Sequence, residues 1–85
     1  MKYKVVRKKH PTEKRDRTPI IFDDSLKAAE FIVKYIGFGE VERVEECILD
    51  AQSRSDSPNP QQRVDILSLN HRGAFVDVRF IKESV

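Results

Sequence analysis

The sequence predicts a single α+β domain in which a small antiparallel sheet carries one or two helices on one face. Three observations predict this fold class. A strand-like basic segment opens the chain, an apolar periodicity typical of helices follows, and two strand-like segments around a glycine-containing turn end it. The chain has 85 residues, of which 39% are hydrophobic and 35% charged. This length and composition are typical of one globular domain, which we assign to residues 1–85.

The first strand is expected at residues 2–9. Tyr3 and Val5 share one of its faces, Val6 lies on the other, and basic residues occupy most of the remaining positions. The sequence therefore predicts that Tyr3 and Val5 belong to the core.

A polar loop and a short strand follow. Residues 10–19 are rich in charge and contain two prolines, which is typical of a loop. Residues 20–22 form a short apolar run that we interpret as an additional strand of the sheet. Asp23, Asp24 and Ser25 then offer side-chain oxygens to the free amides at the start of a helix.

The first helix is expected at residues 26–36. Its polar residues, Lys27, Glu30 and Lys34, recur at spacings of three and four, so they form one narrow stripe. The remaining positions are apolar, which predicts a helix buried on most sides. Gly37 is a suitable C-terminal stop.

A second helix is expected at residues 40–54. Val41, Val44, Ile48 and Ala51 follow the helical spacing of three and four residues. Strand alternation does not fit the segment, although a strand through Val44 is the alternative, because a strand–helix–strand order is common in small α+β domains.

The C-terminal segment predicts a β-hairpin. Residues 63–70 and 74–82 are strand-like and flank a turn that contains Gly73. With this glycine in the left-handed conformation, the expected connection is a three-residue loop, His71 to Gly73. The resulting register pairs Leu69 with Phe75, Ser68 with Val76, Leu67 with Asp77, Ile66 with Val78 and Asp65 with Arg79.

No catalytic, cofactor-binding or metal-binding residue is predicted, and we expect no enzyme activity. His10 and His71 are interpreted as polar loop residues. Cys47 is expected beside the apolar stripe of the second helix as a buried free thiol, and the surrounding acids disfavour a reactive thiolate. Helix capping is the simpler role for Asp23 and Asp24 than metal binding.

Charge is distributed unevenly along the chain. Residues 1–18 contain eight basic and two acidic side chains, whereas residues 19–85 contain eight basic and twelve acidic ones. Such asymmetry indicates an interaction surface. We define the basic patch as Lys2, Lys4, Arg7, Lys8, Lys9, Lys14, Arg15 and Arg17. Its alternative role is that of a solvated edge strand, protected by its lysines from pairing with another sheet.

Two further surfaces are candidates for binding. The acidic patch lies on the second helix and is a candidate for docking on a basic surface, such as that of a nucleic-acid-binding protein or a nucleoprotein complex. Its alternative role is a solvated face. The apolar patch lies on the hairpin, and cover by a helix or strand is the alternative to contact with a partner. The acidic patch consists of Glu42, Glu45, Glu46 and Asp50. The apolar patch consists of Leu67, Leu69, Phe75 and Ile81.

These features predict a small non-enzymatic binding module that acts through protein–protein contacts. An inhibitor or accessory factor of the kind encoded by phages and mobile elements is one form of it. The alternative is a nucleic-acid-binding module that uses the basic N-terminal strand and loop. Self-association of the basic and acidic surfaces is a further option. The single cysteine, together with the lack of an apolar span or secretion signal, predicts a cytoplasmic location and no membrane contact.

Overall fold

Four strands and two helices follow one another in the computed structural model, which describes residues 1–8 and 19–82. The strands form one antiparallel sheet in the order β2-β1-β4-β3, and both helices pack against the same sheet. This arrangement confirms the predicted α+β class, including the short extra strand and the second helix. The elements are β1 (Lys2–Lys8), β2 (Ile20–Phe22), α1 (Ser25–Ile36), α2 (Val41–Ser55), β3 (Ile66–His71) and β4 (Ala74–Ile81).

Strand β1 lies inside the sheet, between β2 and β4, so the alternative of a solvated edge strand at this position is wrong. It pairs with β4 along its whole length and with β2 through Tyr3, Lys4 and Val5. As predicted, Tyr3 and Val5 face the helices and belong to the core cluster, whereas alternation places Val6 on the opposite face. The core between sheet and helices contains the fully buried side chains Val5, Ile32, Ile48, Val76 and Val78.

Helix α1 has the ends that the sequence predicts. The side chain of Asp24 caps it by accepting a hydrogen bond from the Leu26 amide at 2.8 Å. At the other end Gly37 adopts a φ of 69°, and its amide donates to the Val33 carbonyl at 2.9 Å. Within the helix, Ala28, Ala29 and Ile32 are buried, and the predicted stripe of Lys27, Glu30 and Lys34 is exposed.

The segment that follows is a helix, so the alternative of a strand through Val44 is wrong. Ile48, Ala51 and Ser55 of α2 are buried at the helical spacing of three and four residues. Val41 and Val44 pack against the core from the first turns of the same helix. Within residues 1–8 and 19–82, neither helix is long and apolar enough to cross a membrane.

The C-terminal hairpin forms in a different register from the predicted one. His71 pairs with Ala74, so the connection is the two-residue turn Arg72–Gly73 rather than a three-residue loop. Both turn residues have positive φ, 46° and 84°, as a type I′ turn requires. This turn matches the right-handed twist of the strands, and that advantage outweighs the cost of a non-glycine residue in the left-handed region.

The register shift changes which residues meet. Ile66 lies opposite Arg79, and Leu67 lies opposite Val78. The predicted pairing of Asp65 with Arg79 is therefore wrong, and the Asp65 carboxylate instead accepts a hydrogen bond from Arg63 at 3.0 Å. One residue of slip exchanges the two faces of a strand, so every cross-strand neighbour in β3 differs from the prediction.

Candidate interaction surfaces

Within residues 1–8 and 19–82, both helices cover the same face of the sheet, and we call the other face the helix-free face. Alternation along each strand assigns its residues. The members whose side chains are described come from all four strands: Ile21 of β2; Lys2, Lys4 and Val6 of β1; Phe75, Asp77, Arg79 and Ile81 of β4; and Ile66, Ser68 and Asn70 of β3.

One row of side chains crosses the whole helix-free face. Ile21 lies opposite Lys4, Lys4 lies opposite Arg79, and Arg79 lies opposite Ile66. Neighbouring strands are about 4.8 Å apart, so the row is about 15 Å long. Its two ends are exposed isoleucines, at 55% for Ile21 and 41% for Ile66. We call these four residues the central row.

The middle of the central row brings two positive charges together. Lys4 and Arg79 occupy directly opposite positions, where Cβ atoms are typically about 5 Å apart and like charges destabilise the sheet. In the described part of the chain, neither side chain has a hydrogen bond or an ion pair with a carboxylate. The row therefore combines exposed apolar surface with two positive charges that no described carboxylate pairs with.

Next to the central row on the helix-free face, Val6 and Asp77 are less exposed than the two isoleucines at the ends of the row. Val6, at 5% exposure, is buried there. Beside it, Asp77 lies opposite both Val6 and Ser68 and accepts a hydrogen bond from the Ser68 hydroxyl at 2.8 Å. This carboxylate is thus engaged within the protein rather than with the two cations of the row.

The structure divides the basic patch between the two faces. Lys2 and Lys4 lie on the helix-free face, whereas Arg7 lies on the helix side opposite Val76. The Arg7 guanidinium is 5.9 Å from the centroid of the Phe31 ring, a cation–π contact. Its buried Nε atom has no hydrogen-bond partner among the described residues. Lys8 ends β1, and the remaining members, Lys9, Lys14, Arg15 and Arg17, lie outside the described residues.

Only three of the four side chains of the acidic patch are exposed to solvent. Glu42, Glu46 and Asp50 are exposed at intervals of four residues along α2, and Asp50 accepts a hydrogen bond from Arg54 at 2.6 Å. Glu45 instead points towards the start of α1, where it accepts a hydrogen bond from the Ser25 hydroxyl at 2.8 Å. Three of the four predicted acids therefore share one outer face of the helix.

The apolar patch does not form one surface. Leu67 and Leu69 lie on the helix side, where they pack against the core cluster. Phe75 and Ile81 lie on the helix-free face, opposite Lys8 and Lys2. The corrected hairpin register is the reason, because it places even-numbered residues of β3 on the same face as odd-numbered residues of β4.

A polar cluster joins β1 to both helices. The Tyr3 hydroxyl donates a hydrogen bond to Gln52 Oε1 of α2. Burial raises the pKa of Tyr3, and the nearby negative charges of Asp24 and Glu45 raise it further, while a hydrogen bond that involves Ser25 acts in the opposite direction. The phenol is thus held in its neutral form, which suits a structural donor better than a base.

Cys47 is exposed, so the prediction of a buried thiol is wrong. On α2, the contacts of Glu45 with Ser25 and of Gln52 with Tyr3 turn that side of the helix inwards. Cys47 lies about 75° from the centre of the buried stripe at 100° per residue, on the opposite side from these two contacts.

One of the two predicted loop histidines, His71, belongs to a strand. His71 ends β3 and stacks on the ring of Phe38, with centroids 4.2 Å apart and planes inclined by 10°. It is therefore an ordered strand residue rather than part of a loop. His10 lies outside the described residues. Among residues 1–8 and 19–82, no group of three or more His, Cys, Asp or Glu side chains could hold a metal ion.

Comparison of the chain with protein-family models, with curated proteins and with solved structures finds no match. No known family therefore supports a role for these candidate surfaces, and only the residues of this chain define them. Sequence reasoning missed Arg79, Ile21 and Ile66 as members of a binding surface. The only signal available for them was their position in strand-like segments, because their convergence depends on the register of three strand pairs.

Proposed function

We propose that the chain is a small non-enzymatic binding module that acts through protein–protein contacts at the helix-free face. The observation that carries the proposal is the central row, in which Lys4 and Arg79 lie opposite each other between two exposed isoleucines. The matching partner surface presents carboxylates flanked by apolar side chains. An inhibitor or accessory factor, working in a reducing compartment such as the cytoplasm, is the form of this function that we favour.

The energetics of the row support a binding role. Two facing cations weaken the free protein, and a partner carboxylate placed between them would relieve that repulsion. Burial of Ile21 and Ile66 would add a hydrophobic contribution of about 25 cal/mol for each Å² of apolar surface removed from water. Charge would thus steer the encounter, and the isoleucines would supply much of the affinity.

Nucleic acid is the second candidate, and one observation favours it. Lys2 and Lys4 from the basic patch share the helix-free face with Arg79, so three cations could contact phosphates from one side. The isoleucines of the central row argue for protein instead, because base recognition on single strands relies on aromatic stacking, which isoleucine does not provide.

The test uses a photo-crosslinking amino acid at Ile21, in cells of the source organism. A matched probe at Leu49 of α2, which is 45% exposed, serves as the control position. We expect a protein adduct from position 21 and not from position 49. The adduct should disappear when Lys4→Glu and Arg79→Glu are combined. It should survive the pair Lys27→Glu and Lys34→Glu, which changes net charge equally on exposed positions of α1.

Binding of labelled DNA and RNA at varied salt provides the second arm. Micromolar binding that falls steeply with salt, and that Lys4→Glu with Arg79→Glu abolishes, would replace the protein-contact proposal with the nucleic-acid one. If neither arm depends on the central row, the helix-free face is not the binding surface.

A further inference from the structure

The two edges of the sheet differ in how they are protected. Strand β2 is an edge of only three residues, and such short edges rarely recruit another strand. Strand β3 is an edge of six residues, ILSLNH, and contains no lysine, arginine, carboxylate, proline or glycine. It therefore lacks the features with which proteins usually prevent edge-to-edge pairing.

The outer side of β3 is open in the part of the chain that the structure describes. No described strand pairs there, and no hydrogen bond to its outward backbone groups is found. The helices pack mainly on β1, β2 and β4, so they leave space beside β3. Leu67 and Leu69 are only half-buried, at the margin of the core.

We propose that two copies of this chain pair through their β3 edges, antiparallel about a two-fold axis, to form one continuous eight-stranded sheet. The inference concerns the edge of the sheet, and it does not depend on whether a partner binds the helix-free face.

Symmetry restricts the register of this pairing. Antiparallel strands related by a two-fold axis place the same faces of both sheets on the same side, so even-numbered residues must meet even-numbered ones. The two registers that pair most of the strand set either Ser68 or Leu69 opposite its own copy on the axis.

The register centred on Ser68 has the better contacts. It places Leu67 of each copy opposite Leu69 of the other, so both half-buried leucines gain apolar neighbours on the helix side. It also places Asp65 opposite His71 of the second copy, where the imidazole N–H can donate to the carboxylate. The register centred on Leu69 instead places Leu67 opposite His71. The leucine then gains no apolar neighbour there, and the imidazole gains no hydrogen-bond acceptor.

Charge supports a second copy as the occupant of this edge. The facing segments contain no like charges, and the two Asp65–His71 contacts at the ends of the paired strands are complementary. The dimer would also join the two helix-free faces into one surface, with a central row from each copy.

The first test measures mass by light scattering over a range of concentrations. We expect a species of twice the chain mass of 9.9 kDa that dissociates on dilution. Ser68→Lys places two lysines on the axis and should weaken the dimer about fivefold or more. Ser53→Lys, at an exposed position of α2, should leave it unchanged. A protein that stays monomeric at millimolar concentration would overturn the proposal, as would a dimer that Ser68→Lys does not affect.

The second test fixes the register by disulfide formation in a Cys47→Ser background. Ser68→Cys places two thiols directly opposite each other, within the Cα separation that a disulfide spans. Asn70→Cys, exposed on the same face of the same strand, places its two thiols four residues apart along the strands, about 13 Å. Rapid covalent dimerisation of the first variant and not the second supports the proposed pairing. Crosslinking of the second alone contradicts it.

Discussion

Lys4 and Arg79 lie directly opposite each other on β1 and β4, in the middle of the helix-free face. Neither has an ion pair in the described part of the chain. A like-charged cross-strand pair has an energetic cost, and natural sequences accept such costs where a surface is used for binding. The pair therefore links the stability of the sheet to its proposed function.

Removal of one charge from this pair should stabilise the protein while weakening partner binding. We expect Arg79→Gln to raise the free energy of unfolding by about 0.2–1 kcal/mol, because the repulsion with Lys4 is lost. Urea denaturation at low salt measures it, and the gain should shrink in high salt.

A double-mutant cycle separates this effect from a general loss of charge. Once Arg79→Gln is present, Lys4→Gln should add less stability than it does alone, since the repulsion has already been removed. Lys34→Gln, on the exposed face of α1, is the matched control and should change stability by the same amount whether or not Arg79→Gln is present. Additive effects of Lys4→Gln and Arg79→Gln would show that the Lys4 and Arg79 side chains do not interact.

Tyr3 should make stability fall at high pH. Its pKa in the folded state is raised from the ordinary value of 10.0 by burial and by the charges of Asp24 and Glu45. A raised folded-state pKa means that the native protein binds more protons than the unfolded chain above pH 10, so this contribution is complete below pH 10 and is lost as pH rises through the folded-state pKa. Urea midpoints from pH 8 to pH 11 measure the slope.

Tyr3→Phe should remove that alkaline slope. It should also cost about 1 kcal/mol at neutral pH, because the Gln52 side chain loses the phenol as its donor. Tyr35→Phe is the matched control, and the Tyr3-dependent slope should persist in it. An unchanged slope in Tyr3→Phe would assign the alkaline loss of stability to other groups.

The two-residue turn differs from a three-residue loop in that both of its residues, Arg72 and Gly73, have positive φ. Arg72 has a φ of 46°, where asparagine is tolerated better than arginine. We expect Arg72→Asn to raise the free energy of unfolding by about 0.5–1 kcal/mol and Gly73→Ala, at a φ of 84°, to lower it by about 1 kcal/mol. Thermal denaturation of both variants tests this. A neutral Arg72→Asn would indicate that the left-handed conformation is confined to Gly73.

The sequence was sufficient to predict the helices and strands because each of them has a local signature. Asp24 and Gly37 mark the ends of α1, and the spacing of Val44, Ile48 and Ala51 marks α2 as a helix. Such signals depend on residues within a few positions of one another, so they can be recognised without tertiary contacts.

The hairpin register could not be predicted in the same way. It depends on a choice between turns that differ by one residue, and the apparent benefit of pairing Asp65 with Arg79 favoured the wrong one. An exposed ion pair of that kind contributes little, whereas a type I′ turn that matches the strand twist favours the whole hairpin. Because the register was wrong, the central row and the division of the apolar patch could not be predicted either.

The rotation of α2 about its axis is a second property that local patterns do not specify. Cys47 lies next to the apolar stripe, and only the contacts from Tyr3 to Gln52 and from Ser25 to Glu45 decide which flank of the stripe is buried. These contacts join residues that are 49 and 20 positions apart. The orientation of the helix is therefore a result of tertiary packing.

This orientation makes Cys47 accessible to reagents in the folded protein. We expect its thiol to react with a disulfide reagent at a rate that does not rise with added urea below the unfolding transition, because no unfolding is needed for access. The matched variant moves the thiol to a buried position of the same helix, with Cys47→Ser and Ser55→Cys combined, where the serine is 6% exposed. That thiol should react only as fast as the helix opens, so its rate should rise with added urea. Slow, urea-dependent reaction of Cys47 itself would mean that α2 is rotated towards the orientation that its sequence suggests.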